Sequence, residues 1–347
     1  MKVFFAILML FWPVLSDATI TEITVPGPSL ESNMLGIASD RTVSIYLPPS
    51  YNDGSDRHYP TLYILHGIFD TNRTWTIAWD DQNPGFDTIQ SLMDAGIDQN
   101  LFQEMILIVP DSDKTSHYTD SPVRGNWESF IAYDLVDYID SHYRTLDRAS
   151  SRAVAGHSMG GHGAIKLAMK HPDIFSVAYG LNPSLMGFGG DLSEENAALI
   201  QIVEVNSLED LESVNFYVQA LVAIGHSFSP NSDAKLLTSL PFKVSDGQVR
   251  TAQPGLDQWK SRMPIYMVED YIEALKQLRG LRFDSAFEDE YSHIPSTSRE
   301  FSAVLTEHGI EHTFEMYNGD HRNRLWGNQG RLYTEMLPFI SSLLESQ

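Results

Sequence analysis

The chain has 347 residues, 46 Asp and Glu against 23 Lys and Arg, a net charge of −23, and no cysteine. Such a field repels nucleic acid, whose binding depends on clustered Lys and Arg, and disfavours an anionic membrane surface. The missing cysteine excludes disulfides, thiolate nucleophiles and cysteine metal sites, while the length and an apolar share of 42% allow one large core.

Residues 1–18 read as a signal peptide. Lys2 supplies the positive start, residues 3–15 are apolar but for Pro13, and Ser16 and Ala18 are small residues placed for cleavage. The run is too short to cross a hydrocarbon core of roughly 30 Å. An exported protein, periplasmic or secreted, is expected, with an uncleaved anchor as the alternative and no stable membrane insertion elsewhere.

Residues 19–40 are polar, dotted with Gly and Pro, and show little periodicity. Alternation over 42–47 predicts a strand stopped by Pro48-Pro49, and 62–65 a compact apolar strand ending at His66-Gly67. A helix is expected at 88–95, a strand at 105–109, and a helix at 129–143, where Phe130, Ile131, Leu135, Val136 and Ile139 recur at helical spacing. A strand at 152–155, an Ala-rich helix at 160–170 and a strand at 175–181 complete an alternation that predicts a mainly parallel sheet with helices on both faces. The pattern pauses over 186–262, a stretch of Gly, Ser, Pro and acidic residues with two weak apolar patches, which reads as a cap-like insertion rather than an independent core. It resumes with helices at 265–278, 297–308 and 331–344 and strands at 281–285 and 311–317.

Gly156-His157-Ser158-Met159-Gly160 is a G-x-S-x-G motif between a strand and a helix. A sharp turn there lifts a serine hydroxyl above the sheet edge and sets it at a helix N-terminus, where free N–H groups favour a developing anion. A serine hydroxyl needs a base to take its proton. His308 falls within a helix pattern and His312 starts a strand, whereas His321 lies in the loop after the strand at 311–317, where a base belongs. Asp289, after the strand at 281–285, is the expected acid; Glu288 and Glu290 crowd the same loop and remain open as alternatives. Asp284 should still lie within its strand. An oxyanion hole needs two N–H donors. The expected pair is Met159, directly after the nucleophile, and Ile68, in the turn His66-Gly67-Ile68. Trp75, Trp79, Trp127 and Trp326 lie near these loops as candidates to line a substrate pocket. His157 and His162 flank the serine in structural roles. Asn72-Arg73-Thr74 is a glycosylation sequon, meaningful only in a eukaryotic secretory host.

Four stretches carry a family resemblance: Tyr63-Ile64-Leu65-His66-Gly67 with Trp75 beyond; Trp127-Glu128-Ser129-Phe130 with Asp134-Leu135; Gly156 to Gly161 with Ala164; and Gly319-Asp320-His321. Over roughly residues 40–345 the chain resembles the esterase family that includes esterase D, S-formylglutathione hydrolases, feruloyl esterases and the mycolyltransferases. The resemblance implies an α/β-hydrolase fold, a triad on Ser158, Asp289 and His321, oxyanion donors at Ile68 and Met159, and no metal or organic cofactor. The chain departs from named branches. S-formylglutathione hydrolases resemble cytosolic proteins, and where feruloyl esterases often carry Gly-Gly-His this chain has Gly-Asp-His, with Trp326 five residues on. The expectation is therefore ester hydrolysis through an acyl-enzyme on a small-molecule or glycan ester, with the branch left open. An acyltransferase with the same triad, or a silent binding protein on this scaffold, stands as the alternative.

Overall fold

A computed structural model describes residues 19–78 and 86–347; the expected signal peptide and Trp79 lie outside the described residues. Eight strands form one sheet: β1 (Thr19–Val25), β2 (Arg41–Leu47), β3 (Thr61–Leu65), β4 (Ile106–Pro110), β5 (Arg152–His157), β6 (Val177–Leu181), β7 (Gly280–Ala286) and β8 (Thr313–Tyr317). Their spatial order is β1-β2-β4-β3-β5-β6-β7-β8. β1–β2 and β2–β4 pair antiparallel, and every pair from β4 to β8 is parallel. This is the α/β-hydrolase fold.

Strands β3, β4, β5 and β6 are buried along their whole length, as parallel strands covered on both faces must be. The pleat splits them between two apolar layers. Tyr63, Leu65 and Val154 pack with Ile131 and Ile165 on one face, while Leu62, Ile64 and Ala155 pack with Leu92 and Leu337 on the other. The first layer carries α2 (Val136–His142), α3 (Met159–Lys170) and α5 (His293–Glu307); the second carries α1 (Ile89–Asp98) and α6 (Leu337–Leu343). Thr88 starts α1 with a reciprocal cap, its hydroxyl accepting the Ser91 N–H at 3.1 Å while Ser91 Oγ accepts the Thr88 N–H at 3.1 Å. No helix among the described residues is long and apolar enough to cross a membrane.

Several elements differ from the sequence reading. β1 was expected as irregular chain. It is an edge strand that buries little, so its pattern is faint. The helix expected at 129–143 is a π-helical run, Phe130–Leu135, continued by α2. α5 begins at His293 rather than 297 because Pro295 falls in its first turn, where its missing N–H has no intrahelical partner to lose. The helix expected at 265–278 breaks into Pro264–Met267, a tight turn Val268–Tyr271 and Ile272–Leu275, since Tyr271 leaves helical geometry at φ −122° and ψ 18°.

The segment 186–262 has a small apolar core, contrary to its loose composition. Helix α4 (Phe216–Phe228) presents Leu221, Ile224 and Phe228 to Phe242, Val249 and Trp259. Asn215 caps α4 by accepting the Val218 N–H at 3.2 Å, and the Trp259 indole N–H donates to Ser229 Oγ at 2.9 Å.

Candidate active site

Register brings the decisive loops together. Leu65 pairs with Gly156 across β3 and β5, and His157 with Leu181 across β5 and β6. The chain therefore leaves β3 and β5 side by side at the C-terminal edge of the sheet, the usual place for a site in this architecture.

Ser158 turns β5 into α3 within one residue. Its φ of 57° and ψ of −116° are strained for a residue with a side chain. The flanking glycines make the turn possible. A Cβ on Gly156 would stand 2.5 Å from the Gly160 carbonyl oxygen, and one on Gly160 would stand 2.1 Å from the Leu65 carbonyl oxygen. The Ser158 N–H donates to the Leu181 carbonyl at 2.9 Å and its carbonyl accepts the His162 N–H at 3.0 Å, so the strained residue is held from both sides.

His66 fixes the loop after β3. Its Nε2 accepts the Ser112 N–H at 3.0 Å, which puts the ring proton on Nδ1, within 2.9 Å of the Gly67 carbonyl. The Tyr118 hydroxyl donates to the His66 carbonyl at 2.9 Å. A Cβ on Gly67 would lie 3.6 Å from Ser158 Cβ, so this loop runs against the serine. Ile68 and Ser158 line one cleft, and among the described residues neither the Ile68 nor the Met159 N–H has a protein acceptor.

The loops after β7 and β8 hold a buried carboxylate–imidazole pair. His321 Nδ1 donates to Asp289 Oδ2 at 2.7 Å, with the ring 2% and the carboxylate 0% exposed. The second oxygen of Asp289 accepts the Tyr291 N–H at 2.9 Å. Glu290 reaches the backbone N–H of His321 at 3.3 Å rather than its ring, and Glu288 is exposed. Asp284 lies within β7, buried against Arg331 at 2.7 Å and the Tyr179 hydroxyl at 2.9 Å. His308 ends α5, and His312 Nε2 meets Ser302 Oγ at 2.8 Å. Burial pushes the His321 imidazole down to about 4, so it is neutral at pH 7, and raises the Asp289 carboxyl to about 6, still ionised there.

Two residues position His321. His157 Nε2 donates to the His321 carbonyl at 2.8 Å, and the two rings lie 4.5 Å apart between centroids. Asn182 donates from Nδ2 to the same carbonyl at 3.1 Å and to the Tyr317 hydroxyl at 2.7 Å, while its Oδ1 accepts the Ala286 N–H at 2.8 Å. Asn182 thus ties together the ends of β6, β7 and β8. Sequence reading passed over it; a lone amide directly after an apolar strand was the available signal. Among the described residues no hydrogen bond joins Ser158 Oγ to His321.

Ser158 opens onto a partly open cleft with a mainly apolar lining. Ile68 and Ser158 form part of its wall, and Leu199, Phe216, Ala220, Leu221 and Ile224 of the inserted segment form much of the rest. Trp75, Trp127 and Trp326, expected to line a substrate pocket, do not line this cleft. Trp127 is fully buried, its ring edge-on to Phe130 at 5.8 Å and its indole N–H on the Arg124 carbonyl at 2.9 Å. Trp75 and Trp326 face each other at 5.8 Å and line a separate hollow with Gly67, His157 and Arg322. The sequon residue Asn72 is buried, its amide spent on Ser44 Oγ at 2.8 Å and Glu22 at 3.1 Å, so it offers no glycosylation acceptor. His162 is fully buried, 5.5 Å from the Phe228 ring.

Strand order, elbow and loop placement define an α/β-hydrolase. The fold recurs in a ferulic acid esterase at a TM-score of 0.63 and 20% identity, covering 95% of this chain and 100% of that one. It recurs in an S-formylglutathione hydrolase from Agrobacterium tumefaciens at 0.59 and 15%, covering 95% and 96%. In sequence, an esterase of Mycobacterium tuberculosis is 35% identical over 142 residues, 39% of this chain and 27% of that protein. An endo-1,4-beta-xylanase/feruloyl esterase of Xylanibacter ruminicola is 24% identical over 191 residues, 53% of this chain and 25% of that protein. The matched stretch thus spans about a quarter of either relative. The family described as "Putative esterase" matches residues 34–334, and the chain belongs to it.

Proposed function

We propose that this protein hydrolyses carboxylic esters, with Ser158 as nucleophile, His321 as base and Asp289 as the acid that orients it. The observation that carries this reading is the buried Asp289–His321 pair, anchored through the His321 carbonyl to His157, the sequence neighbour of the strained Ser158. His321 Nε2 takes the proton of Ser158 Oγ as that oxygen bonds to the ester carbonyl carbon, and the carbonyl electron pair moves onto its oxygen. The Ile68 and Met159 N–H groups stabilise that oxyanion, helped by the N-terminus of α3. Collapse re-forms the carbonyl and expels the alcohol, which takes the proton from His321. Water then repeats the sequence on the acyl-enzyme and frees the acid. Asp289 keeps the proton of neutral His321 on Nδ1 and stabilises the imidazolium.

The apolar cleft favours esters with a hydrocarbon portion, free or as decorations of a glycan; ferulic acid esterases among the structural neighbours support that range. Export to the periplasm or medium is proposed on the sequence of residues 1–18 alone. The test is hydrolysis of p-nitrophenyl esters from acetate to palmitate, feruloylated sugars and thioesters. Ser158→Ala should lose about 10⁶-fold in kcat. A folded, active Ser158→Ala protein would refute the assignment.

A further inference from the structure

The turn that carries the Ile68 N–H is built against its own backbone preference. The Asp70 N–H donates to the Gly67 carbonyl at 3.2 Å and closes a four-residue turn with Ile68 and Phe69 at its centre. Phe69 sits at φ 63°, and a turn with positive φ at its third residue favours Gly there. A bulky residue in that conformation is strained, and such strain persists only where surrounding contacts impose it. The Phe69 N–H donates to the Lys114 carbonyl at 2.7 Å, and the ring leaves the turn to meet the inserted segment.

There it stands edge-on to Phe216, the first residue of α4, at 5.9 Å. Phe216 meets Tyr291 at 5.9 Å, and Tyr291 stands edge-on to the His321 ring at 5.1 Å while its N–H holds Asp289. Ring pairs at these separations attract. Three rings, two of them in the cleft wall, thus link the residue after one oxyanion donor to the base. Phe69 and Phe216 remain 43% and 38% exposed, so burial alone does not account for their place. The Ile68 side chain also packs on the apolar core of the insertion.

We propose that Phe69 and Phe216 are positioning residues for the oxyanion hole: their contact holds the turn so that the Ile68 N–H meets the developing oxyanion, and Tyr291 ties the same brace to His321. The insertion is then part of the catalytic centre as well as a wall of the cleft. The inference rests on the Ser158 hydrolase reading, in which Ile68 and Met159 donate to the oxyanion.

The experiment uses the whole protein and p-nitrophenyl acetate, the smallest acyl ester of the series. Phe69→Asn removes the ring and leaves a residue that tolerates positive φ. The Phe69 side chain is not part of the cleft wall, so a change there is not a lost substrate contact. kcat should fall about tenfold with KM within about twofold, the scale of a lost ring contact acting on one oxyanion donor. A small trifluoromethyl ketone gives a second readout. Ser158 Oγ adds to its carbonyl carbon, the serine proton passes to His321, and the ketone oxygen becomes an oxyanion. Its affinity should weaken by the same factor as kcat. The melting temperature should stay close to that of the unaltered protein, because relief of strain offsets the lost contact.

Phe69→Tyr keeps the ring and should recover most of the loss. Phe216→Ala should match Phe69→Asn, and the double variant should again lose about tenfold, because one contact is removed in all three. If Phe216→Ala fails to fold, the two Phe69 variants decide alone. An unchanged kcat in Phe69→Asn, a loss confined to KM, an unmoved ketone affinity, no recovery in Phe69→Tyr, or single losses that multiply in the double variant would each overturn the proposal. An unaltered protein that cleaves no ester and leaves Ser158 unlabelled by a fluorophosphonate would instead defeat the hydrolase reading beneath it.

Discussion

Between β3 and α3, each unusual residue answers to a contact a few ångströms away: Gly160 to the Leu65 carbonyl, Gly67 to Ser158, His66 to Ser112. Between 186 and 262 the chain is held by side-chain packing around Trp259 and by polar contacts to the main sheet's loops and helices, among them Asp191 to the His293 N–H at 2.7 Å and Ser227 Oγ to the Thr115 carbonyl at 3.3 Å. The first region allows almost no substitution, because backbone meets backbone there. The second can exchange apolar side chains at small cost so long as the volume is kept.

The sharpest way to break this division is in the acid loop. Asp289→Asn should reduce kcat by about 10⁴-fold, because the amide can hold the wrong tautomer of His321. Glu290→Gln, which touches only the His321 backbone, should stay within about tenfold, the scale of one exposed hydrogen bond. Steady-state kinetics on one short ester checks both. A crippling Glu290→Gln would place the acid elsewhere.

A smaller effect is expected above the site. Leu221→Trp fills the cleft from α4 and should lower kcat/KM for long acyl esters by about tenfold or more while acetate changes little. An unchanged chain-length profile would mean that the insertion covers the site without shaping it.

The smallest effect is on pH dependence. His321 must be neutral to accept a proton and Asp289 ionised to support it, so protonation of either lowers activity. With burial placing His321 at about 4 and Asp289 at about 6, the group that protonates first on acidification sets the acidic limb of kcat/KM, whose midpoint should lie at about 6. A midpoint at or above 7 would contradict the buried pair.

The same contrast explains what the sequence made legible. The elbow, the loops after β3, β7 and β8 and the alternation around them follow from local rules, and Ser158 and His321 stand out by position along the chain, whereas Asp289 shared its loop with Glu288 and Glu290 until the fold set it against His321. The insertion does not. Helix α4, Phe-Tyr-Val-Gln-Ala-Leu-Val-Ala-Ile-Gly-His-Ser-Phe, is buried on most of its surface and so shows no amphipathic stripe. Asp191 and His293 meet across 102 positions, and only the folded chain brings them together. Trp127 was placed near a pocket for its nearness to a motif, but it serves the core beneath.

The most direct test of the central claim is covalent. Incubating the folded protein with a small fluorophosphonate and digesting it should give one stoichiometric adduct on the peptide carrying Ser158. Asp289→Asn should slow its formation, and Ser158→Ala should abolish it. Labelling at another serine, or none in a protein that cleaves esters, would contradict the assignment of Ser158 as the nucleophile.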